Sequence, residues 1–179
     1  MRGKLVWLVA SLVTLLFAGC GKKPLDIQFS LPPTWEESWS VRSYLTQAMI
    51  PTIENMTIIK TYTRKGSNFA PILQVKRLEI PPFVNAKTVF EQIKQEVEKQ
   101  ASKFPFPISF TGQEELTLPG GIRAVMGNWQ ANAQGITIYK RVVVIAGGGQ
   151  ALIIDTAAAG SNDDQVIMDA IRNAQVVTQ

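Results

Sequence analysis

Four strand-like segments follow one another in the second half of the chain, and they constrain its fold more than any other feature. They are residues 108–118, 122–131, 136–146 and 151–157. The links between them are short and contain glycine, and they lie at residues 119–121, 133–135 and 147–149. Since links this short join neighbouring antiparallel strands, the pattern predicts a meander of β-hairpins.

Two stretches inside this meander are apolar at every position. They are residues 142–145 and 152–154. A strand with one solvated face alternates apolar and polar residues, whereas a strand that is buried on both faces is apolar throughout. We therefore expect these strands at the centre of the sheet, with helices covering both faces. A predicted helix at about 41–50, which begins after Ser40 and ends at Pro51, is a candidate to cover the second face.

The rest of the chain supplies further strands and helices. Strands are predicted at 26–31, 34–39, 56–64 and 72–80. The clearest helix is 88–104, with Thr88 and Glu91 as a capping box, and a last helix is predicted to begin with Ser161 as its N-cap. This order predicts an α+β fold, an antiparallel sheet of about six to seven strands with two or three helices packed on it.

The first twenty residues are typical of an export signal. Arg2 and Lys4 precede an uncharged apolar stretch at 5–18, which is short for a membrane span. The stretch ends in Leu-Phe-Ala-Gly-Cys at 16–20, which resembles the lipobox of bacterial lipoproteins, although Phe17 stands where leucine is usual. This resemblance implies a cleaved signal peptide at 1–19 and fatty acyl chains, palmitate among them, on Cys20. The alternative is an uncleaved anchor helix with an incidental cysteine.

The lipobox divides the chain and sets its expected location. We expect a lipidated tether at 20–25 and a single α+β domain at 26–179. The expected location is the bacterial cell envelope, bound to membrane lipid through the acylated Cys20. Gly21 resembles the signal for outer-membrane sorting, which implies the periplasmic face of the outer membrane in a host with two membranes. Arg2 and Lys4 supply two of the four net positive charges, so no nucleic-acid partner is expected.

The composition excludes several kinds of catalytic site. The chain has no histidine and one cysteine, which removes Ser-His-Asp triads, histidine metal sites and an intramolecular disulfide. The pairs Glu36–Glu37 and Glu114–Glu115 are neighbours on predicted strands, so the two carboxylates of each pair point to opposite faces. We therefore expect no enzyme, no catalytic residues, no metal site and no cofactor. A small hydrolase with carboxylates brought together by the fold is the less favoured alternative.

A strand that runs into Leu-Pro-Pro-Thr-Trp at 31–35 resembles the opening segment of PsbP-like and DcrB-like domains. The helix in mid-chain, the meander that runs into AGGGQALIIDTAA and the terminal helix resemble the same domains over about 26–177. This resemblance implies the PsbP-like α/β/α sandwich. Members of this superfamily include assembly or extrinsic factors of photosystem II, some with metal sites, but no metal-site motif is matched here.

Six residues are candidates for partner binding. They are Trp35, Trp39, Trp129, Arg64, Lys76 and Arg141. Tryptophan is common both at interfaces and in cores. Alternation places Trp35 and Trp39 on the same side of a regular strand; we expect at least one of them in the core and keep the other as an interface candidate. The basic residues would form a patch if their strands were adjacent; ordinary surface charge is the alternative. The function expected is a non-catalytic binding or assembly module whose partner is an envelope protein, and the alternative is a carrier of a small apolar ligand or lipid.

Overall fold

The structure is a computed structural model that describes residues 24–38, 56–67, 70–101 and 107–178. The predicted helix at 41–50, Trp39 and Cys20 lie outside these ranges. The elements, in chain order, are β1 (Leu25–Gln28), β2 (Trp35–Glu37), β3 (Met56–Arg64), β4 (Ile72–Glu79), α1 (Ala86–Gln100), β5 (Ile108–Leu118), β6 (Ile122–Ala133), β7 (Ile136–Gly147), β8 (Gln150–Ala159), α2 (Ser161–Arg172) and β9 (Gln175–Thr178).

Seven of the described strands form one antiparallel sheet in the order β2-β3-β4-β8-β7-β6-β5. The remaining two, β1 and β9, pair with each other. The α+β prediction is confirmed, and the four hairpin strands β5 to β8 lie where the meander places them. β8 is the middle strand of the seven, as its two-sided apolar pattern predicts.

Each face of the sheet has its own apolar core because successive residues of a strand point to opposite sides. On one face, Ile153 of β8 packs with residues of α1 such as Phe90 and Ile93. On the other face, Ile154 packs with Ile167 of α2 and with the β1–β9 pair. We call these the α1 face and the α2 face.

Helix α1 begins three residues earlier than the predicted capping box. The side chain of Asn85 accepts a hydrogen bond from the backbone N–H of Thr88 at 3.0 Å, so Asn85 is the N-cap and Thr88 lies inside the helix. The prediction of Thr88 as cap is therefore wrong by one turn. The apolar residues Phe90, Ile93 and Val97 of α1 are buried, and the helix packs against β6 and β7.

Gly127 in β6 allows α1 to approach the sheet closely. A Cβ atom at this position would overlap the ring of Phe90 and lie 2.8 Å from Cη2 of Trp129. The rings of Phe90 and Trp129 are tilted against each other with centroids 6.1 Å apart. A residue without a side chain is therefore required where the aromatic core of this face meets the strand.

Two features at the carboxyl end of the chain differ from the sequence predictions. The N-cap of α2 is Gly160, with φ of 90° and no side-chain cap bond, so Ser161 does not cap the helix. The strand β9 was not predicted; it pairs with β1 in the register Leu25↔Thr178 to Gln28↔Gln175. The strand at the start of the domain is thereby paired with the last described strand.

Candidate functional site

The two tryptophans that can be placed are buried. Trp35 is 7% exposed in the core of the α2 face, which confirms the prediction that at least one of Trp35 and Trp39 is a core residue. Trp129 is 2% exposed, and its ring lies edge-on to Phe110 with centroids 5.1 Å apart. Within the described ranges its indole N–H has no hydrogen-bond partner. Neither side chain is open to a partner, because burial of the large rings builds the two cores.

The three candidate basic residues do not form one patch. Cross-strand partners share a face, so Arg64, opposite Trp35, lies on the α2 face, while Lys76, opposite Ile153, lies on the α1 face. Arg141 is opposite Asn128 on the α2 face. The three residues share no single basic surface, because the strands present Lys76 and the two arginines to different sides of the sheet.

The two arginines bind the first turn of α2. Arg64 is ion-paired with Asp163, and Arg141 donates two hydrogen bonds to the carboxylate of Asp164, at 2.8 and 2.6 Å. The hydrogen bonds from Arg141 to Asp164 raise the pKa of the guanidinium, against the opposing effect of burial. Since acidic residues in a first turn also suit the positive end of the helix, both pairs fix α2 on the sheet.

Lys76 belongs to a buried cluster of three charges at the centre of the sheet. The carboxylate of Asp155 in β8 accepts a hydrogen bond from Lys76 at 2.9 Å through Oδ2 and from Lys140 at 2.6 Å through Oδ1. Asp155 is opposite Gln74. The side-chain amide of Gln74 donates a hydrogen bond to the hydroxyl of Thr61 at 3.4 Å. Sequence reasoning missed this cluster, although an aspartate inside the apolar run of β8 is a signal of it.

This cluster holds two potential cations against one anion. Burial lowers the pKa of Lys140, the charge and hydrogen bond of Asp155 oppose that change, and the charge of Lys76 lowers it further. A buried ammonium needs a hydrogen-bonded partner, and a single carboxylate here serves two. The arrangement ties β4, β8 and β7 together through their side chains.

An open groove of about 360 Å³ lies at the amino end of α1. Asn85, Lys87, Glu115, Arg123, Val125 and Ala146 line it, and we call it the Lys87 groove. A smaller cavity of about 100 Å³ shares its Lys87, Glu115 and Val125. No pattern in the sequence indicates this groove, because its residues come from α1, β5, β6 and β7, which only the fold brings together.

The groove lies at the end of the sheet where the domain begins. Leu25 donates its backbone N–H to the side chain of Gln150 at 2.9 Å, and Gln150 is opposite Glu79, the last residue of β4. The same end carries the β7–β8 turn at 148–149, close in sequence to Ala146 of the groove. We call it the Leu25 end of the sheet.

No group of three acidic or cysteine side chains that could hold a metal ion occurs among the residues described. In those same ranges neither helix is long and apolar enough to cross a membrane.

The chain is similar to known proteins in structure but not in sequence. No family model and no curated protein matches the chain. The solution structure of cyanobacterial PsbP (CyanoP) from Synechocystis sp. PCC 6803 aligns with a TM-score of 0.56 and 14% identity, covering 89% of this chain and 96% of that one. LpqN, described as involved in cell envelope biogenesis of Mycobacterium tuberculosis, aligns with a TM-score of 0.53 and 15% identity, covering 90% of this chain and 88% of that one.

A mutant of the protein Mog1 aligns with a TM-score of 0.50 and 12% identity over 86% of this chain and 92% of that one. Identities this low show a shared fold and nothing about shared activity. The order of strands and helices, the two-faced core and these alignments agree with the resemblance seen in the sequence. The chain has a PsbP-like α+β fold.

Proposed function

We propose that this protein is a lipoprotein of the bacterial cell envelope, held on the membrane by fatty acyl chains on Cys20, and that it acts as a non-catalytic binding or assembly module. Its partner is an envelope protein. In a host with two membranes it lies on the periplasmic face of the outer membrane. The structural likeness to LpqN, whose description places it in cell envelope biogenesis, is compatible with this location.

The observation that carries the proposal is the short distance in sequence between the lipobox and the folded domain. β1 begins at Leu25, five residues after Cys20. Such a segment spans at most about 18 Å when fully extended. A domain attached in this way stays at the membrane surface, where envelope partners are found.

The carboxylates of the described residues support a non-catalytic role. Asp155 is bound by two lysines, and Asp163 and Asp164 are each bound by an arginine. Glu114 is opposite Met126 on the α2 face and Glu115 is opposite Val125 on the α1 face, so this pair is divided between the two faces. Three of these carboxylates are engaged by cations and the two glutamates are divided between the faces, which favours a binding role over the paired carboxylates of a hydrolase.

The Lys87 groove favours a polar partner over the apolar cargo of a carrier. It is open, and Lys87, Arg123 and Glu115 bring charge to it. Carrier sites for apolar ligands are lined mainly by apolar side chains that enclose most of the ligand.

The test is crosslinking in intact cells with mass spectrometry, comparing the native chain with Cys20→Ala. A clickable palmitate analogue, fed to the same cells, reports acylation separately. We expect label on the native chain and none on the variant, and one envelope protein crosslinked to the acylated form but not to the variant. Absence of label contradicts the lipid anchor, and labelled protein without a specific crosslink contradicts the assembly role.

A further inference from the structure

The chain enters the domain at a defined point of the surface. The backbone carbonyl of Leu25 accepts a hydrogen bond from Arg77 at 2.6 Å, and its N–H is bound by Gln150. These two contacts fix the first residue of β1 at the Leu25 end of the sheet. Any anchor five residues upstream therefore holds this end, within about 18 Å, closest to its attachment point.

The same end carries Phe83, which is 86% exposed. Phe83 lies in the turn between β4 and α1, directly after Pro81 and Pro82, both exposed. The turn is held at both sides: Ile80 donates its N–H to Gly149 of the β7–β8 turn at 3.0 Å, and Val84 donates to Pro81 at 3.0 Å. An aromatic ring is thus presented outward on a rigid support, next to the Lys87 groove.

Basic residues lie at the same end of the domain. Lys87 and Arg123 line the groove and make no ion pair with any described residue, while Glu115 is the acidic residue of the lining. In the sequence, Lys22 and Lys23 stand between Cys20 and Leu25. An exposed aromatic residue beside lysine and arginine is the pattern of a surface that lies in the boundary between lipid headgroups and acyl chains.

We propose that the Leu25 end docks on an anionic lipid bilayer, with Phe83 inserted at the headgroup boundary and Lys87 and Arg123 at the level of the phosphates. This inference rests on the lipid anchor proposed above, because the anchor holds this end at the bilayer. The length of chain between Cys20 and Leu25, the exposed ring and the charge all indicate a bilayer as the occupant. The domain then stands upright, and its opposite end, with the β6–β7 turn at 134–135, faces away from the membrane.

The chain offers a matched control for this orientation. Ile136 is another large apolar residue with high exposure, 55%, and it lies at the far end of the sheet, beside the β6–β7 turn. The experiment uses the full chain with its acyl groups, made in bacterial membranes and reconstituted into vesicles of phosphatidylcholine and phosphatidylglycerol. A fluorophore is attached at Phe83→Cys or at Ile136→Cys; an acylated Cys20 offers no thiol to the dye.

Brominated lipids, which quench fluorescence within the bilayer, provide the measurement. We expect emission from the label at 83 to fall about threefold and emission from the label at 136 to stay unchanged. In Phe83→Cys protein that also carries Lys87→Glu and Arg123→Glu, we expect the quenching to shrink to less than about half. Equal quenching at 83 and 136, or none at 83, overturns the docking.

Flotation of the vesicles separates failure of the anchor from failure of the docking. Protein that floats with the vesicles but shows no quenching at 83 overturns the orientation and leaves the anchor standing. Protein that does not float overturns the anchor and the docking together. An equal signal at 83 in purely phosphatidylcholine vesicles overturns the part assigned to Lys87 and Arg123.

Discussion

The ammonium group of Lys140 lies 2.6 Å from Oδ1 of Asp155, and the two side chains are only 1% and 0% exposed. The other oxygen of the same carboxylate accepts a hydrogen bond from Lys76. Three charged side chains are therefore buried together on the α1 face of the sheet. In such a cluster the cost of losing one member depends on the charges that stay behind.

We expect Asp155→Asn to destabilise the protein much more than Lys140→Met. The first change leaves two buried ammonium groups without a carboxylate, which costs about 3–5 kcal/mol of the free energy of unfolding. The second leaves the Lys76–Asp155 pair and fills the space with an apolar chain, at a cost below about 2 kcal/mol. Urea unfolding at pH 7 measures both. Equal losses would show that the two lysines do not depend on this carboxylate.

The lowered pKa of Lys140 predicts a dependence of stability on pH. Its pKa lies below the ordinary value of 10.5 because of burial, so between the two values the unfolded chain binds a proton that the folded chain does not. The free energy of unfolding therefore rises with pH through this window. We expect urea unfolding from pH 7 to 10 to show that the free energy of unfolding of the native protein increases relative to that of Lys140→Met as the pH rises.

Parallel curves for these two proteins would contradict the lowered pKa. The series stops at pH 10 because Tyr62 has the opposite effect on stability at higher pH. Burial, with the nearby charges of Glu37 and Asp26, raises its pKa from 10.0 to about 12. Its contribution to stability is complete below pH 10 and is lost as the pH rises through about 12.

Gly127→Ala is expected to destabilise the domain by about 1–3 kcal/mol, because the added methyl group overlaps the buried ring of Phe90 and forces the aromatic core apart. Gly147→Ala is the matched control: it lies in β7, its Cβ would meet no atom within 4 Å, and its φ is not in the left-handed region. Thermal unfolding measures both. If Gly147→Ala lowered the stability as much as Gly127→Ala, the overlap with Phe90 would not be the reason for the effect at position 127.

Asp164→Asn is expected to loosen α2. It weakens the two hydrogen bonds from Arg141 and leaves a half-buried guanidinium without its anion, which costs about 1–3 kcal/mol. Asp169→Asn lies on the exposed side of the same helix, where the carboxylate accepts a hydrogen bond from the Gln165 side chain at 2.8 Å, and should change stability far less. Hydrogen exchange of the α2 amides gives the measurement, and equal protection in both variants would exclude a role for the Arg141–Asp164 pair.

Most of the fold follows from local patterns in the sequence. Strands β3 to β8 and both described helices are long, periodic or bounded by glycine and proline, and their limits differ from the predictions by a few residues. Strand β9 has four residues, too few for a period to be seen, and its partner β1 is about 150 positions away. The N-cap Asn85 was not predicted, because Thr88 and Glu91 match the capping-box pattern three residues later.

The arrangement of side chains was less predictable than the strands. Lys76 lies in β4, whose residues from Ile72 to Lys76 are all buried, so no alternation in that strand tells a core lysine from a surface one. Its partner Asp155 is 79 residues away, and the pairing exists only because β4 and β8 are neighbours. The Lys87 groove is equally non-local. Long-range strand order, which single positions do not encode, decides both.

The pairing of Leu25 with Thr178 has a practical consequence for engineering. The two ends of the described domain are adjacent, so a short linker can join them, and new ends can be opened at the exposed Gln134-Gly135 turn on the opposite side. In such a circular permutant a lipid-modified leader would attach to the other pole. The core would stay intact, but the β6–β7 end of the domain would face the bilayer and the Leu25 end would face away from it.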